Sequence, residues 1–320
     1  MNASRSTQSK RFLSGLPWAI LRASRPRFLV LALVLPLCAA ALSYSLGQIP
    51  SASDFLLVSV SALLAHAAVN LHNEIEDTES GLDRLTQRTA FSGGSGALFP
   101  FEKNLQPVRF VFYSQLILLV FIGTYLAWSV SWWILLMGVV GLGLIRFYTS
   151  YCTRHSTLYW LAAGLGFGPI LFLGSFWVFY GSITLSAFLV AAVVFLWVNN
   201  LLLVNQLPDL TADAQVGRRN LWMTQGVVFG WRLFVASALL SVLLLIALSG
   251  VLQKPLLSLS ALVLIPAGWI AWRLALYFRQ PKTINLAPIL ALNVIINVIL
   301  PLLLALLLSW SSFDLFDKGI

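Results

Sequence analysis

Apolar residues in this chain come in long runs rather than in alternating stripes. Nine such runs stand out, over residues 28–46, 55–72, 108–128, 132–150, 158–180, 184–206, 231–251, 257–278 and 286–310. Each approaches the roughly twenty residues that a helix needs to cross a hydrocarbon core. None shows the period-two alternation over about ten residues that marks a barrel strand. The pattern predicts an all-α polytopic membrane protein of nine transmembrane helices. Residues 1–27 form a basic segment with a short amphipathic lead-in over 12–24. Residues 28–310 read as one transmembrane domain, and 311–320 as a short tail.

Composition agrees. The chain is 59% hydrophobic and only 10% charged, against about 25% charged in an ordinary soluble domain. Cys38 and Cys152 have no C-x-x-C or histidine spacing, so neither a disulfide framework nor a zinc site is expected. His66, His72 and His155 have no ligand spacing to one another. The first apolar run is longer than a signal h-region and lacks a small-residue cleavage site, so no cleaved signal is expected.

Charge fixes the orientation. With nine spans, the N-terminus and the loops after the second, fourth, sixth and eighth spans share one side. All of the twenty Lys and Arg residues except Lys254 and Lys318 fall there. The positive-inside rule makes that side cytoplasmic, in an inner (plasma) membrane. Of the eleven acidic residues, all but Asp54, Asp314 and Asp317 lie on the same side. Acidic residues contribute little to orientation, so their placement calls for another cause.

They concentrate in two places. The first is Asn70–Leu98, with Glu74, Glu76, Asp77, Glu79 and Asp83; the second is Asn205–Asp213, NQLPDLTAD. The ends of spans two and six read Asn73-x-x-x-Asp77 and Asn205-x-x-x-Asp209-x-x-x-Asp213. Residues four apart share a helical face. Basic residues follow each element, Arg84 and Arg88 in one and Arg218 and Arg219 in the other. Spans four and eight both end in mixed aromatic and basic stretches. A four-span unit used twice, with a ninth helix added, fits this weak repeat.

Carboxylates crowded on one face repel unless a cation lies between them. All-oxygen ligand sets suit Mg²⁺, which completes its shell with waters and substrate phosphates. Two such faces can clamp a diphosphate, with Arg84, Arg88, Arg218 and Arg219 supplying forked donors. Gly81 frees the backbone between Asp77 and Asp83, so that Asp83 reaches the site from a turn. Phe91-Ser92-Gly93-Gly94-Ser95-Gly96 has the composition of a backbone anion nest. Tyr148 and Arg154, closing span four, are further substrate-contact candidates. Asn293 and Asn297 share a face of span nine, where helix–helix hydrogen bonding and substrate contact are both open. A transporter of an anionic metabolite remains an alternative, although it should carry ionisable groups near the bilayer midplane, and essentially none lie there.

These residues resemble the UbiA superfamily of intramembrane prenyltransferases over nearly the whole chain. The family pattern is an Asn-Asp-x-x-Asp element with a further Asp after span two, and Asp-x-x-x-Asp after span six. Here they are Asn73, Glu74, Asp77 and Asp83, then Asp209 and Asp213, preceded by Asn205 and followed by Gly217-Arg218-Arg219. FSGGSGAL after Arg88-Thr89, Gly166-Phe167-Gly168-Pro169 with Gly174, and NQLPD are similar to the 1,4-dihydroxy-2-naphthoate polyprenyltransferase branch of menaquinone synthesis. Glu74 departs from the usual Asp, and RFYTSYCTRHST after span four lacks the family's proline-rich basic form.

The resemblance implies Mg²⁺-dependent transfer of a polyprenyl group from its diphosphate to an aromatic acceptor, 1,4-dihydroxy-2-naphthoate first. Hydroxybenzoate, homogentisate or a lipid alcohol are alternative acceptors. It implies Asp77, Asp83, Asp209 and Asp213 as catalytic metal-binding residues, with Asn73 and Glu74 beside them. Arg84, Arg88, Asn205, Arg218, Arg219, Tyr148 and Arg154 are implied to contact substrate. The lipid bilayer is an expected partner; nucleic acid is not.

Overall fold

A computed structural model describes residues 15–86, 88–89 and 93–316, with side chains described as far as residue 310. Arg5, Lys10, Arg11, Phe91, Ser92, Asp317 and Lys318, and the side chain of Asp314, lie outside that description. All the secondary structure described is helical. Helix α1 covers 15–23. It is followed by α2 (Leu29–Ser45), α3 (Ala52–Ser80), the single turn α4 (Leu82–Leu85), α5 (Gln106–Ser129) and α6 (Trp133–Phe147). Next come α7 (Ser156–Leu165) and α8 (Leu173–Tyr180), joined through a π-helical stretch, Gly166–Phe172. Then follow α9 (Leu185–Asn205), the short α10 (Leu210–Gln215), α11 (Leu221–Leu252), α12 (Leu264–Arg279) and α13 (Ala287–Phe316).

Seven of these stretches are long and apolar enough to cross a membrane. Two of the nine expected spans are shorter helices, α2 with 17 residues and α6 with 15. Local chemistry sets their ends. Gly47 takes φ +89° just beyond α2, and the Ser43 hydroxyl donates to the Gln48 carbonyl at 2.9 Å. Helix α6 opens at a turn where Trp128 and Trp132 meet edge to face with centroids 6.3 Å apart.

Successive spans pack side by side, and α13 lies along α2 to close the ring. Helix α9 is apolar on every side, which suits a helix surrounded by protein. It contacts α7, the π stretch, α11 and α13, and 72% of its most apolar window is buried, against 22% for α5. Small residues let the backbones approach there. A Cβ on Gly168 would meet the Ala191 carbonyl oxygen of α9 at 2.5 Å, and one on Gly164 would collide with Asn199. The Gly164 amide donates to Asn199 Oδ1 at 2.8 Å instead.

Two elements run past their apolar stretch. Helix α3 continues to Ser80, which carries Asn73 and Asp77 in on a rigid rod. Helix α11 starts at Leu221, capped by Asn220, and breaks at Gly226, where φ is +82°.

Candidate active site

A cavity of about 540 Å³ opens inside the ring. One end is polar, lined by Asn73, Asp77, Asp83, Asn205, Asp209, Asp213 and Arg218; the remainder is walled mostly by apolar side chains of α3, α5, α6 and the π stretch. The two acidic elements, more than a hundred residues apart in sequence, therefore meet.

Arg218 joins them. Its guanidinium pairs with Asp77 Oδ1, and with Asp213 Oδ1 at 3.5 Å. Burial disfavours its charge, but the Asp77 and Asp213 carboxylates outweigh that and raise its pKa above the ordinary arginine value. The site thus holds a permanent cation between two carboxylates. Beside it, Asp209 Oδ2 accepts from the Gly93 amide at 3.1 Å. Asp209 Oδ1, Asn205 Oδ1 and Gln206 Nε2 are buried without a hydrogen-bond partner among the described residues. Buried orphans of this kind call for a ligand or water.

Asp83 arrives by the expected turn. Gly81 takes φ +75° and caps α3, a conformation glycine adopts without steric cost. The chain reverses, and the Thr78 hydroxyl donates to Asp83 Oδ2 at 3.1 Å. Burial raises the Asp83 pKa, and the Glu74 charge adds to this, against hydrogen bonding from Thr78 and attraction from Arg88. Asn73 Oδ1 accepts from Thr149 at 3.2 Å.

Asn205, Asp209 and Asp213 do not share one continuous helix face. Pro208 stands in a 3₁₀ turn, Leu207–Asp209, between α9 and α10. The three still line the cavity together.

Glu74 departs from the expected metal set. It is fully buried and does not line the cavity. Its carboxylate accepts five hydrogen bonds: from Arg25 Nε at 3.2 Å and Nη2 at 2.8 Å, the Ser95 amide at 2.5 Å, the Ser95 hydroxyl at 2.7 Å and the Gly96 amide at 3.1 Å. Its lone pairs are spent on holding the glycine–serine loop to α3. That loop carries Gly93 and Gly94 to the cavity wall, with φ values of +82° and +68°.

Several expected substrate contacts stand elsewhere. Arg84 is exposed, paired with Glu102 at 2.6 Å and lying over the Phe99 ring. Arg88 donates to the Asp83 carbonyl at 2.9 Å and lies 3.5 Å from its carboxylate, so it braces the turn from outside the cavity. Arg154 and Arg219 are exposed and do not line the cavity. Tyr148 does, edge-on to Tyr159 at 5.9 Å.

Sequence reasoning missed Arg25, which lines the cavity from the junction of α1 and α2 with φ +52°. Its signal was available: Ser24-Arg25-Pro26-Arg27, a proline-punctuated basic turn directly before an apolar run. Asn70 and His66, one and two turns earlier on the Asn73 face of α3, also line the cavity. Among the described residues, no three His, Cys, Asp or Glu side chains are grouped to hold an ion by themselves.

A ring of apolar helices surrounds a cavity charged at one end and greasy along its length, a shape that suits a molecule with a charged head and an apolar body. The chain belongs to the UbiA prenyltransferase family, whose model matches residues 33–295. Among curated proteins it is 29% identical over 175 residues to a 1,4-dihydroxy-2-naphthoate octaprenyltransferase of Bacillus subtilis, covering 54% of this chain and 55% of that protein. The chain thus matches about half the length of that relative. A UbiA homologue from Archaeoglobus fulgidus, solved bound to DMAPP and Mg²⁺, shares the fold with TM-score 0.64 at 16% identity, covering 91% of this chain and 98% of that one. The apo structure of a UbiA homologue from Aeropyrum pernix gives TM-score 0.62 at 18% identity, covering 87% and 98%.

Proposed function

We propose that this prenyltransferase moves a polyprenyl group from its diphosphate onto an aromatic acceptor, 1,4-dihydroxy-2-naphthoate, in a Mg²⁺-dependent reaction of quinone synthesis. The observation that carries the reading is the Arg218 bridge between Asp77 and Asp213 at the polar end of an otherwise apolar cavity. The curated relative's name supports the acceptor, and the solved homologue's ligands support the donor and the ion.

The residues fit a magnesium ion. The donors are all oxygen, the type that Mg²⁺ prefers, and Asp209 Oδ1 and Asn205 Oδ1 lack hydrogen-bond partners among the described residues. Asp77, Asp83, Asp209 and Asp213 would hold it, with Asn73 and Asn205 in support, its remaining positions going to water and diphosphate oxygens. When bound it supplies charge neutralisation to the departing diphosphate.

The chain's own groups do the rest. Arg218 and Arg25 present fixed positive charge where negative charge grows as the carbon–oxygen bond breaks. The apolar walls exclude water, so the allylic carbon meets the acceptor ring before it meets a competing nucleophile. Gly93 and Gly94 bring backbone close to the polar end, where the Gly93 amide steadies Asp209.

The topology follows the same reading. Helices α2 and α6 would complete nine crossings, as two four-helix units and one more helix, in the plasma membrane with the polar end cytoplasmic. Residues 28–310 would then form one transmembrane domain.

The test is a panel of acceptors offered to membranes with a labelled polyprenyl diphosphate. Dihydroxynaphthoate should be prenylated, EDTA should stop turnover and Mg²⁺ should restore it. Product only with hydroxybenzoate, homogentisate or a lipid alcohol would overturn the acceptor. Activity indifferent to EDTA would overturn the ion.

A further inference from the structure

Helix α3 carries two polar groups into the cavity before Asn73 and Asp77, Asn70 and His66. His66, Asn70, Asn73 and Asp77 lie at successive turns of one face, and all four line the cavity. Asn73 and Asp77 belong to the polar end. Asn70 is satisfied locally, its Nδ2 donating to the Ser24 carbonyl at 3.1 Å. His66 is different. It lies seven residues before Asn73, about 10 Å further along the helix, where the wall has become apolar. Its ring packs edge-on against Phe167 of the π stretch, with centroids 5.0 Å apart at 84°. Its Nδ1 is closed off by surrounding protein and has no hydrogen-bond partner among the described residues, which leaves Nε2 as the nitrogen open to a ligand in the cavity.

An imidazole has one donor and one acceptor nitrogen when neutral. Leaving such a group unmatched in an apolar wall costs more than an apolar residue of similar size. An isoprenoid tail offers it nothing, since a hydrocarbon neither donates nor accepts. The aromatic acceptor is the substrate that brings hydroxyl groups into this part of the cavity, because its ring must lie beside the donor's reacting carbon.

We infer that His66 forms the acceptor subsite, hydrogen-bonding a ring hydroxyl of the aromatic substrate while its flat face and Phe167 flank the ring. The inference rests on the proposed transfer to an aromatic acceptor. It makes His66 a specificity residue that touches the acceptor and not the diphosphate.

The test separates the two substrates. In detergent-solubilised full-length protein, His66→Phe keeps an aromatic ring and removes both nitrogens. The acceptor KM should rise roughly three- to tenfold, the worth of one neutral hydrogen bond, with the donor KM unchanged. Gln and Asn, which place an amide near Nε2 and Nδ1 respectively, should restore it in at least one case. An acceptor analogue lacking one ring hydroxyl should bind wild type more weakly, and should bind His66→Phe no worse than the full acceptor does.

An unchanged acceptor KM in His66→Phe, or a donor KM that rises in step with it, would overturn the subsite. If His66→Phe is not recovered folded, His66→Gln and His66→Asn decide. Equal weakening in both, with the full hydroxyl penalty retained, would overturn it as well. Wild-type protein that prenylates no aromatic acceptor would instead overturn the proposed function, an outcome visible before any variant is made.

Discussion

At the scale of single residues, the centre of the site is the arrangement of Asp77 and Asp213 around Arg218. Asp77 and Arg218 form a buried pair, and removing one partner strands the other. Asp77→Asn should lower kcat/KM by at least roughly 100-fold, the loss typical of removing one element of preorganised electrostatic stabilisation. Arg218→Lys should be nearly as damaging, because a point charge cannot fork between two carboxylates. The double variant should fall short of the product of the two losses, since both act through one contact; steady-state kinetics on labelled donor measure all three. Glu74 makes a different prediction. Glu74→Gln removes the charge that gathers Arg25, Ser95 and Gly96, so amide exchange at Ser95 and Gly96 should quicken while metal affinity holds. A loss of Mg²⁺ affinity with unchanged exchange would return Glu74 to the ligand set.

The four aspartates expected at the site all line the one cavity. Aspartate at a membrane boundary has little to do except bind, so Asp77, Asp83, Asp209 and Asp213 were all legible. Arginine is less informative, because orientation alone accounts for most of it. Arg84 and Arg219, expected to contact substrate because they follow acidic motifs, and Arg154, expected to because it closes span four, are each exposed at the surface. Arg25, far from both motifs in sequence, reaches the cavity because α1 folds back beneath α3. Glu74 failed for a related reason: spacing places it near the site but does not reveal which face its carboxylate takes.

At the scale of elements, rigid rods and special turns set the geometry. The π stretch Gly166–Phe172 presses against α9 through Gly168. Gly168→Leu should force the helices apart and cost about 1–3 kcal/mol, in line with overpacking elsewhere. Thermal unfolding in detergent should register it, and Gly143→Leu serves as the control, since a Cβ there meets nothing within 4 Å. The Gly166-Phe167-Gly168-Pro169 motif was visible in the sequence, but not the π geometry. That geometry arises because Pro169 supplies no amide while Gly164 and Gly168 draw the chain against α9. Likewise Pro208 broke the single helical face expected of Asn205, Asp209 and Asp213, and a 3₁₀ turn brings them to the same cavity by another route.

At the scale of the whole molecule, pH and topology offer two further checks. Asp83 has a raised pKa, with burial the larger cause and the Glu74 charge the next. The folded protein therefore holds that proton more tightly than the unfolded chain. Asp83's contribution to stability is fully present below its unfolded pKa and is lost as pH rises through its folded value. A bound cation favours the ionised form, so Mg²⁺ should stabilise the protein more as pH rises through that window. Unfolding temperatures with and without Mg²⁺ across mildly acidic pH measure this, and a magnesium increment independent of pH would contradict it. For topology, Ile49 is 75% exposed between α2 and α3, on the side opposite the acidic loops. A cysteine there should react with a membrane-impermeant maleimide added outside intact cells, whereas one at Glu102 should not.

Alone, the sequence determined the solvent in which this chain folds, the number of its apolar runs and the residue types gathered at one boundary. Each is set by local composition: twenty apolar residues in a row demand a bilayer wherever they stand in the chain. Only the tertiary structure decided which charged groups share a cavity and which merely lie close in sequence. Contact depends on how helices pack, and packing is governed by small residues, prolines and left-handed turns whose effects reach far beyond their own neighbours. For that reason Asp77 and Asp213 meet across Arg218, Glu74 turns away to hold a loop, and His66 faces the cavity beside Phe167.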